Sequence, residues 1–316
     1  MPQIIQFTHP GSEHGPDHRH GDYKSWNGGA HRRKFMRSMG NYVDSKNHHH
    51  ELKKLLFWGE WEPPSTVINL DGTNPLYPRW LHDPILPKNI QPSTGIASCT
   101  PKQSSCNPKC SDPKGLQNTD PFVFGDSFKY FVCKQSKLNL QQETGMTRLE
   151  KGSMILFGST KGKNRNDAIF QLDTVFVVAD WIEYDPSTLP SWANNSRDLS
   201  LYHEVVYSKA FPQPVQQSIK LRLYRGATFE NQVNDMYSFA PAKIGGTPLE
   251  GFPRVALKNM DFITNNLNSA PKFTSVDENG AKSAWLKIRN ESRQQGCVEA
   301  VHFEIPPPWL NSPQTK

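Results

Sequence analysis

Apolar and polar positions alternate most clearly in the middle of the chain. Phe128–Cys133 (FKYFVC) mixes aromatic and β-branched residues, and Met154–Phe157 (MILF) follows a turn at Leu149–Ser153. After a polar tip at Lys161–Asn166, the run Ile169–Ala179 (IFQLDTVFVVA) returns as a second strand, with Asp173 and Thr174 in its middle. A strand, a polar turn and a strand in this order favour a β period over a helical one. Leu55–Glu62, stopped by Pro63 and Pro64, and Ser65–Leu70 predict strands upstream, with Gly59 as a bulge or a close backbone approach. Leu201–Tyr207, Ile219–Tyr224, Tyr237–Phe239 and Val298–Ile305 add further strands, and Ser283–Glu291 is the best C-terminal helix. Short strands, few helices and Gly/Pro turns predict a β-rich α+β fold with a curled or closed sheet. No repeat of fixed period and no strand, Gly-rich loop and helix unit is present, which disfavours solenoids, propellers, Rossmann folds and P-loops.

The flanking material differs. Residues 1–54 read as loop and short helix broken by His9-Pro10-Gly11, Gly15-Pro16 and Gly28-Gly29, with a helical stretch between Ala30 and Met39. Residues 84–121 are rich in Pro, Ser, Asn, Lys and Gln and read as a surface insertion. The organisation expected is thus a basic, His-rich N-terminal region (1–54), a core domain (55–310) carrying the insertion, and a polar tail (311–316).

Composition narrows the class. Only 35% of the 316 residues are hydrophobic and the mean hydropathy is −0.67, yet 8 Trp, 17 Phe and 9 Tyr suffice for a packed core. No apolar run approaches the ~18 residues of a membrane span, and no secretory leader is recognisable. The expectation is a soluble, cytoplasmic protein. The formal charge is +6, and residues 1–54 hold nine Lys/Arg against five Asp/Glu and eight of the 11 His. That asymmetry suggests an anionic partner, a nucleic acid or a nucleotide, and leaves open a solvated basic edge or an acidic protein surface.

The stretch LEKGSMILFGSTKGKNRNDAIFQLDTVFVVADWIEY resembles the central hairpin of PUA-like domains, the superfamily holding the EVE, YTH and ASCH groups. There, a turn like Lys151-Gly152-Ser153 leads into an apolar strand, a polar excursion and a second strand ending in outward aromatics. LLFWGEWEPPSTVIN resembles a barrel strand of the same superfamily. The resemblance covers about 50 residues, and it implies a small barrel that reads nucleic acid through an aromatic pocket for a modified base.

Four groups of residues carry candidate chemistry. Gly28 to Arg37 (GGAHRRKFMR) places Arg32, Arg33 and Lys34 beside Trp26 and Phe35, a mixture suited to phosphate and a stacked base. His9, Glu13 and His14, with His18, His20 and His31, offer acid/base or metal-binding groups, or simply loop histidines. Trp58, Glu60 and Trp61 offer stacking and a base-edge acceptor, with Glu62 next along, and Asp173 interrupts an apolar strand and so must be paired, exposed or functional. Cys99, Cys106, Cys110 and Cys133 could bind zinc, although the first three lack the usual paired knuckles and reduced loop cysteines are the simpler reading; no other cofactor is expected.

Two functional readings share one site. In the first, Arg32, Arg33 and Lys34 contact phosphate, Trp26, Trp58 and Trp61 stack, and Glu60 and Asp173 read polar edges of a nucleotide or nucleic acid. In the second, His9, Glu13, His14, His31 and Glu60 form the acid/base or metal set of a nucleotide or phosphodiester hydrolase. A structural subunit docking on an acidic protein is the third. The oligomeric state is not legible.

Overall fold

Apolar runs punctuated by Gly, Pro and Asn fold into short strands. A computed structural model of the chain describes residues 1–19, 21–28, 31–70, 74, 76–86, 116–137, 142–162, 167–186, 201–211, 219–245, 251–264 and 270–308. The strands are β1 (Gln3–Thr8), β2 (Tyr23–Lys24), β3 (Lys34–Val43), β4 (His49–Gly59), β5 (Ser65–Asn69), β6 (Trp80–Pro84), β7 (Lys129–Tyr130) and β8 (Ser136–Lys137). They continue with β9 (Gln142–Glu143), β10 (Met154–Lys161), β11 (Ile169–Tyr184), β12 (Leu221–Gly226), β13 (Ala240–Ile244), β14 (Val255–Leu257), β15 (Lys272–Ser275) and β16 (Val298–Phe303). Helix α1 spans Glu278–Gln294.

Two seven-stranded mixed sheets result. The first runs β15-β1-β10-β11-β12-β7, with β14 also on β11. The second runs β16-β13-β4-β3-β6-β5-β2, and an additional β16–β3 pairing closes β3, β4, β13 and β16 into a ring. Strand β1 lies parallel to β10 and β3 parallel to β6. The β-rich α+β expectation therefore holds, with one sheet partly ringed. Among the described residues no helix is long and apolar enough to cross a membrane.

Two apolar clusters fill the interior. Phe7, Phe57, Trp61, Phe124 and Phe157 belong to one; Phe35, Trp58, Val175, Phe252 and Trp285 belong to the other. Helix α1 starts at Asp277, whose carboxylate accepts the Gly280 amide at 2.7 Å, and it buries Ala281, Ala284, Trp285 and Ile288 at helical spacing. Glu299, buried on β16, binds Arg289 Nε at 2.8 Å and Arg293 Nε at 2.5 Å, tying that helix to the sheet.

Several expectations are corrected. Residues 1–54 are not a loop region laid on the core, because β1 is an interior strand of the first sheet and β3 and β4 are interior in the second. Of the Ala30–Met39 stretch expected as helix, the described residues 31–39 are not helical; β3 begins at Lys34, and Phe35 and Met36 bury completely. Leu201–Tyr207 is helical rather than strand, with a π turn at His203–Tyr207. Its buried residues Leu201, Tyr202, Val205 and Val206 recur at helical spacing, which the β-branched content conceals. From the 84–121 insertion, residues 87–115 lie outside the described residues, as do His20, Cys99, Cys106, Cys110 and the tail.

Candidate active site

Just after β1, just before β3 and just after β4 the chain places charged groups in the interior: His9, Arg33, and Glu60 with Glu62. His9 follows β1, its amide bonded to the Gly158 carbonyl at 2.7 Å. His14 and Arg33 are fixed together, the His14 amide donating to Arg33 O at 2.8 Å and the Arg33 amide to Ser12 O at 2.9 Å. Beyond β4, Glu60 and Glu62 stand two residues apart and reach the same His31, while Trp61 between them packs against Phe124. The Asn27 amide donates to Glu62 O at 2.9 Å, which holds this segment in place.

The side chains form one connected network. His9 Nδ1 lies 3.2 Å from Glu60 Oε2, and Arg33 Nη1 donates to the same oxygen at 2.6 Å. His31 Nδ1 is 3.5 Å from Glu60 Oε1 and 3.5 Å from Glu62 Oε1, and His14 Nε2 is 3.7 Å from Glu62 Oε2. Arg33 Nε reaches Asp173 Oδ2 at 3.2 Å, and Arg254 Nε reaches Asp173 Oδ1 at 3.4 Å. Arg254 also donates to Ser159 Oγ and, at 3.0 Å, to Gly11 O, and its guanidinium lies over the Trp58 ring. All these carboxylates are buried; His31, about one-third exposed, is the member of the His/Glu set most open to solvent.

Burial and pairing set the charge states. Burial, helped by Arg33, lowers His9 to about 4, so its imidazole is neutral near pH 7. Burial works against protonation of His31, but Glu60 and Glu62 together raise it to about 10. Burial also opposes ionisation of Glu60, and His9, Arg33 and His31 overcome it, holding the carboxyl well below its usual range. Glu62 is lowered too: His14 and His31 outweigh its burial and the repulsion from Glu60. Burial takes Lys34 down to about 7 and Lys134 to about 8.

No family model, curated protein or solved structure matches the chain.

The residues singled out in the sequence divide. His9, His14, His31, Arg33, Glu60 and Asp173 converge, drawn from positions up to 164 residues apart. Glu13 does not join them: its carboxylate accepts the Arg79 and Trp80 amides at 3.0 and 3.1 Å. His18 is exposed. Trp58 and Trp61 are core residues, not stacking platforms; their indole N–H groups donate to Phe252 O at 2.8 Å and Pro64 O at 2.9 Å. Trp26 is half-buried, donates to Gln117 O and carries Lys209 Nζ over its ring. The basic run splits three ways. Arg32 is exposed, Arg33 and Lys34 are buried, the latter donating to Pro63 O at 3.1 Å, and Arg37 pairs with Asp83 beside a groove of about 300 Å³. Arg33 and Lys34 therefore do not present their charges to solvent phosphate. Cys133 is a free thiol near Asn118, and burial pushes its pKa well up. Its three expected zinc partners lie outside the described residues.

Three contributors carry little signal in the sequence. Glu62 differs from an ordinary strand glutamate only in following Glu60 by two. Arg254 precedes a short apolar strand, where a charge is as anomalous as Asp173 is in β11. Ser159, on β10, is an ordinary strand serine in the sequence, and it accepts from Arg254. Nearby, buried Asp120 accepts the amides of Phe131, Val132 and Cys133 at 2.8–2.9 Å.

Proposed function

We propose that the protein is a hydrolase acting on phosphate esters of nucleotides or nucleic acids, with the His9, His14, His31, Glu60 and Glu62 set as its working groups. One observation carries this reading: three histidines and two glutamates, all remote from ordinary core chemistry, meet in a buried network with two guanidinium groups beside it. A merely structural ion pair needs two charges, whereas this one assembles proton acceptors, proton donors and fixed cations within one region. In the reaction, water adds to phosphorus, the P–O bond to the leaving oxygen breaks, the His9 imidazole takes the water proton, and a proton returns to the leaving oxygen. Exposed Arg32, next in sequence to His31, is placed to meet the anionic ester, while buried Arg33 and Arg254, paired with Glu60 and Asp173, hold those carboxylates in position. Trp58 and Trp61, two of the three tryptophans invoked for base recognition, are occupied in the core, and half-buried Trp26 already carries Lys209 over its ring, which favours catalysis over the recognition reading. A nucleic-acid or nucleotide ligand, the class implied by the resemblance to PUA-like domains, is compatible with this reading.

The test is incubation of the full chain with linear and cyclic nucleotides and with single-stranded and duplex oligonucleotides, divalent salts supplied in turn. The expected result is new product, reduced about 10²–10⁴-fold in rate by His9→Ala or Glu60→Gln. Retarded oligonucleotide migration with no product would replace this reading with recognition. Neither product nor retardation would favour docking on a protein.

A further inference from the structure

We infer that His31, Glu60 and Glu62 bind one first-row divalent cation of the Zn²⁺ type, an inference about the same site that rests on the hydrolase reading for its use but not for its geometry. The three side chains each offer a ligand atom, all within 4.8 Å of one another. His31 Nδ1 stands 3.5 Å from one oxygen of each glutamate. That separation is long for an N–H···O bond, whose usual range ends near ~3.2 Å. Two metal bonds of about 2.0–2.1 Å meeting at a tetrahedral angle place their ligand atoms ~3.3 Å apart, close to what is found.

Unmet hydrogen bonding points the same way. Both Glu62 oxygens and His31 Nδ1 are buried without a hydrogen bond of normal geometry, the histidine contacts of Glu62 being long ones of 3.5 Å to His31 and 3.7 Å to His14. Glu62 is itself 0% exposed. Buried carboxylate oxygens without donors are rare and costly, and a cation between them removes the cost. Imidazole and carboxylate donors suit Zn²⁺, Mn²⁺ or Fe²⁺ rather than a thiophilic ion. His9 and Arg33 on Glu60 and His14 beside Glu62 would then orient the ligands from outside. Asp44, His48 and His50 make a useful contrast, since their ligand atoms also cluster. Asp44 is already satisfied by the Lys46 and His48 amides at 2.8 and 2.9 Å and by His50 at 3.0 Å, so nothing there calls for an ion. At the buried site a bound cation would activate its water as the nucleophile.

The experiment uses the full chain, stripped with a chelator and titrated calorimetrically with Zn²⁺, Mn²⁺ or Co²⁺ alone. One equivalent should bind with micromolar or tighter affinity, and Glu62→Gln should weaken it at least 100-fold. His31→Ala, at the partly exposed position, is the companion variant if Glu62→Gln fails to fold, and His48→Ala should bind as the parent does. The Co²⁺ form should absorb as a nitrogen- and oxygen-ligated site without a thiolate charge-transfer band. Absence of stoichiometric uptake, unchanged affinity in the folded site variants, loss in His48→Ala, or a thiolate band would each overturn the inference. Uptake sensitive to Glu62 with no hydrolysis of any ester removes the hydrolase reading and leaves the cation. Hydrolysis that survives complete metal removal does the reverse.

Discussion

Replacing Asp173 with Asn removes one negative charge from between two buried guanidinium groups while keeping the side chain's size. Arg33 Nε is 3.2 Å away and Arg254 Nε 3.4 Å, and all three side chains are at most 4% exposed. With an effective dielectric of ~20, each attraction is about 5 kcal/mol before desolvation is counted. Much of that offsets the burial of three charges, and breaking such an arrangement by deleting one partner typically costs about 3–5 kcal/mol. Loss should be measured by urea denaturation at pH 7, from the shift in midpoint at unchanged m-value. Arg225→Ala provides the scale, because Arg225 pairs with Asp180 at 2.5 Å with both partners about half exposed. That pair should be worth no more than about 1 kcal/mol. Equal effects from the two substitutions, or a loss below about 1 kcal/mol for Asp173→Asn, would refute the claim that buried charge organises this region.

Three further outcomes are expected. Burial lowers Lys34 from 10.5 to about 7, so the unfolded chain keeps a proton that the folded chain releases between those values. The resulting penalty, at most ~5 kcal/mol, is full below about pH 7 and fades by about pH 10.5; Lys34→Met should therefore stabilise most at pH 7, and a gain that does not shrink on raising the pH would contradict this. Gly158 sits at the register shift of β10 against β11, where a Cβ would press on the Gln171 carbonyl oxygen and the Phe170 ring. Gly158→Ala should lower the melting temperature by several degrees, consistent with a cost of about 1–3 kcal/mol for overpacking. Glu299→Gln leaves Arg289 and Arg293 without their shared carboxylate and should cost about 3 kcal/mol in chemical denaturation, read from the loss of helical circular dichroism.

Local pattern makes part of this molecule legible. The β10–β11 pair is readable because Met154–Phe157 and Ile169–Ala179 are apolar and separated by a polar tip, and α1 because its apolar residues recur at helical spacing. The basic run at Arg32–Arg37 misleads because composition reports charge but not partners. Arg33 is neutralised by Glu60 and Asp173, 27 and 140 residues away, which no window around it contains. Asp173 is conspicuous for the opposite reason: its apolar neighbours force the question of what pairs with it. Tryptophan at 58 and 61 looks equally fit for a ligand or a core, and only the tertiary packing decides between them. Glu62 and His31 are visible as residues, yet their meeting depends on where β3 begins and β4 ends.

The placement of β1 also governs the order in which the protein can be completed. Its two neighbours are β10, through Met154–Gly158, and β15, through Lys272–Ser275. At a synthesis rate of roughly 5–20 residues per second, β1 emerges many seconds before either neighbour exists. Through that interval a strand that the folded protein buries almost completely, with Ile4, Ile5 and Phe7 among its six residues, has both hydrogen-bonding edges open, the condition under which nascent chains pair wrongly or engage chaperones. Because His9 directly follows β1, the candidate catalytic network cannot assemble on a growing chain, and activity should appear only at the end of folding.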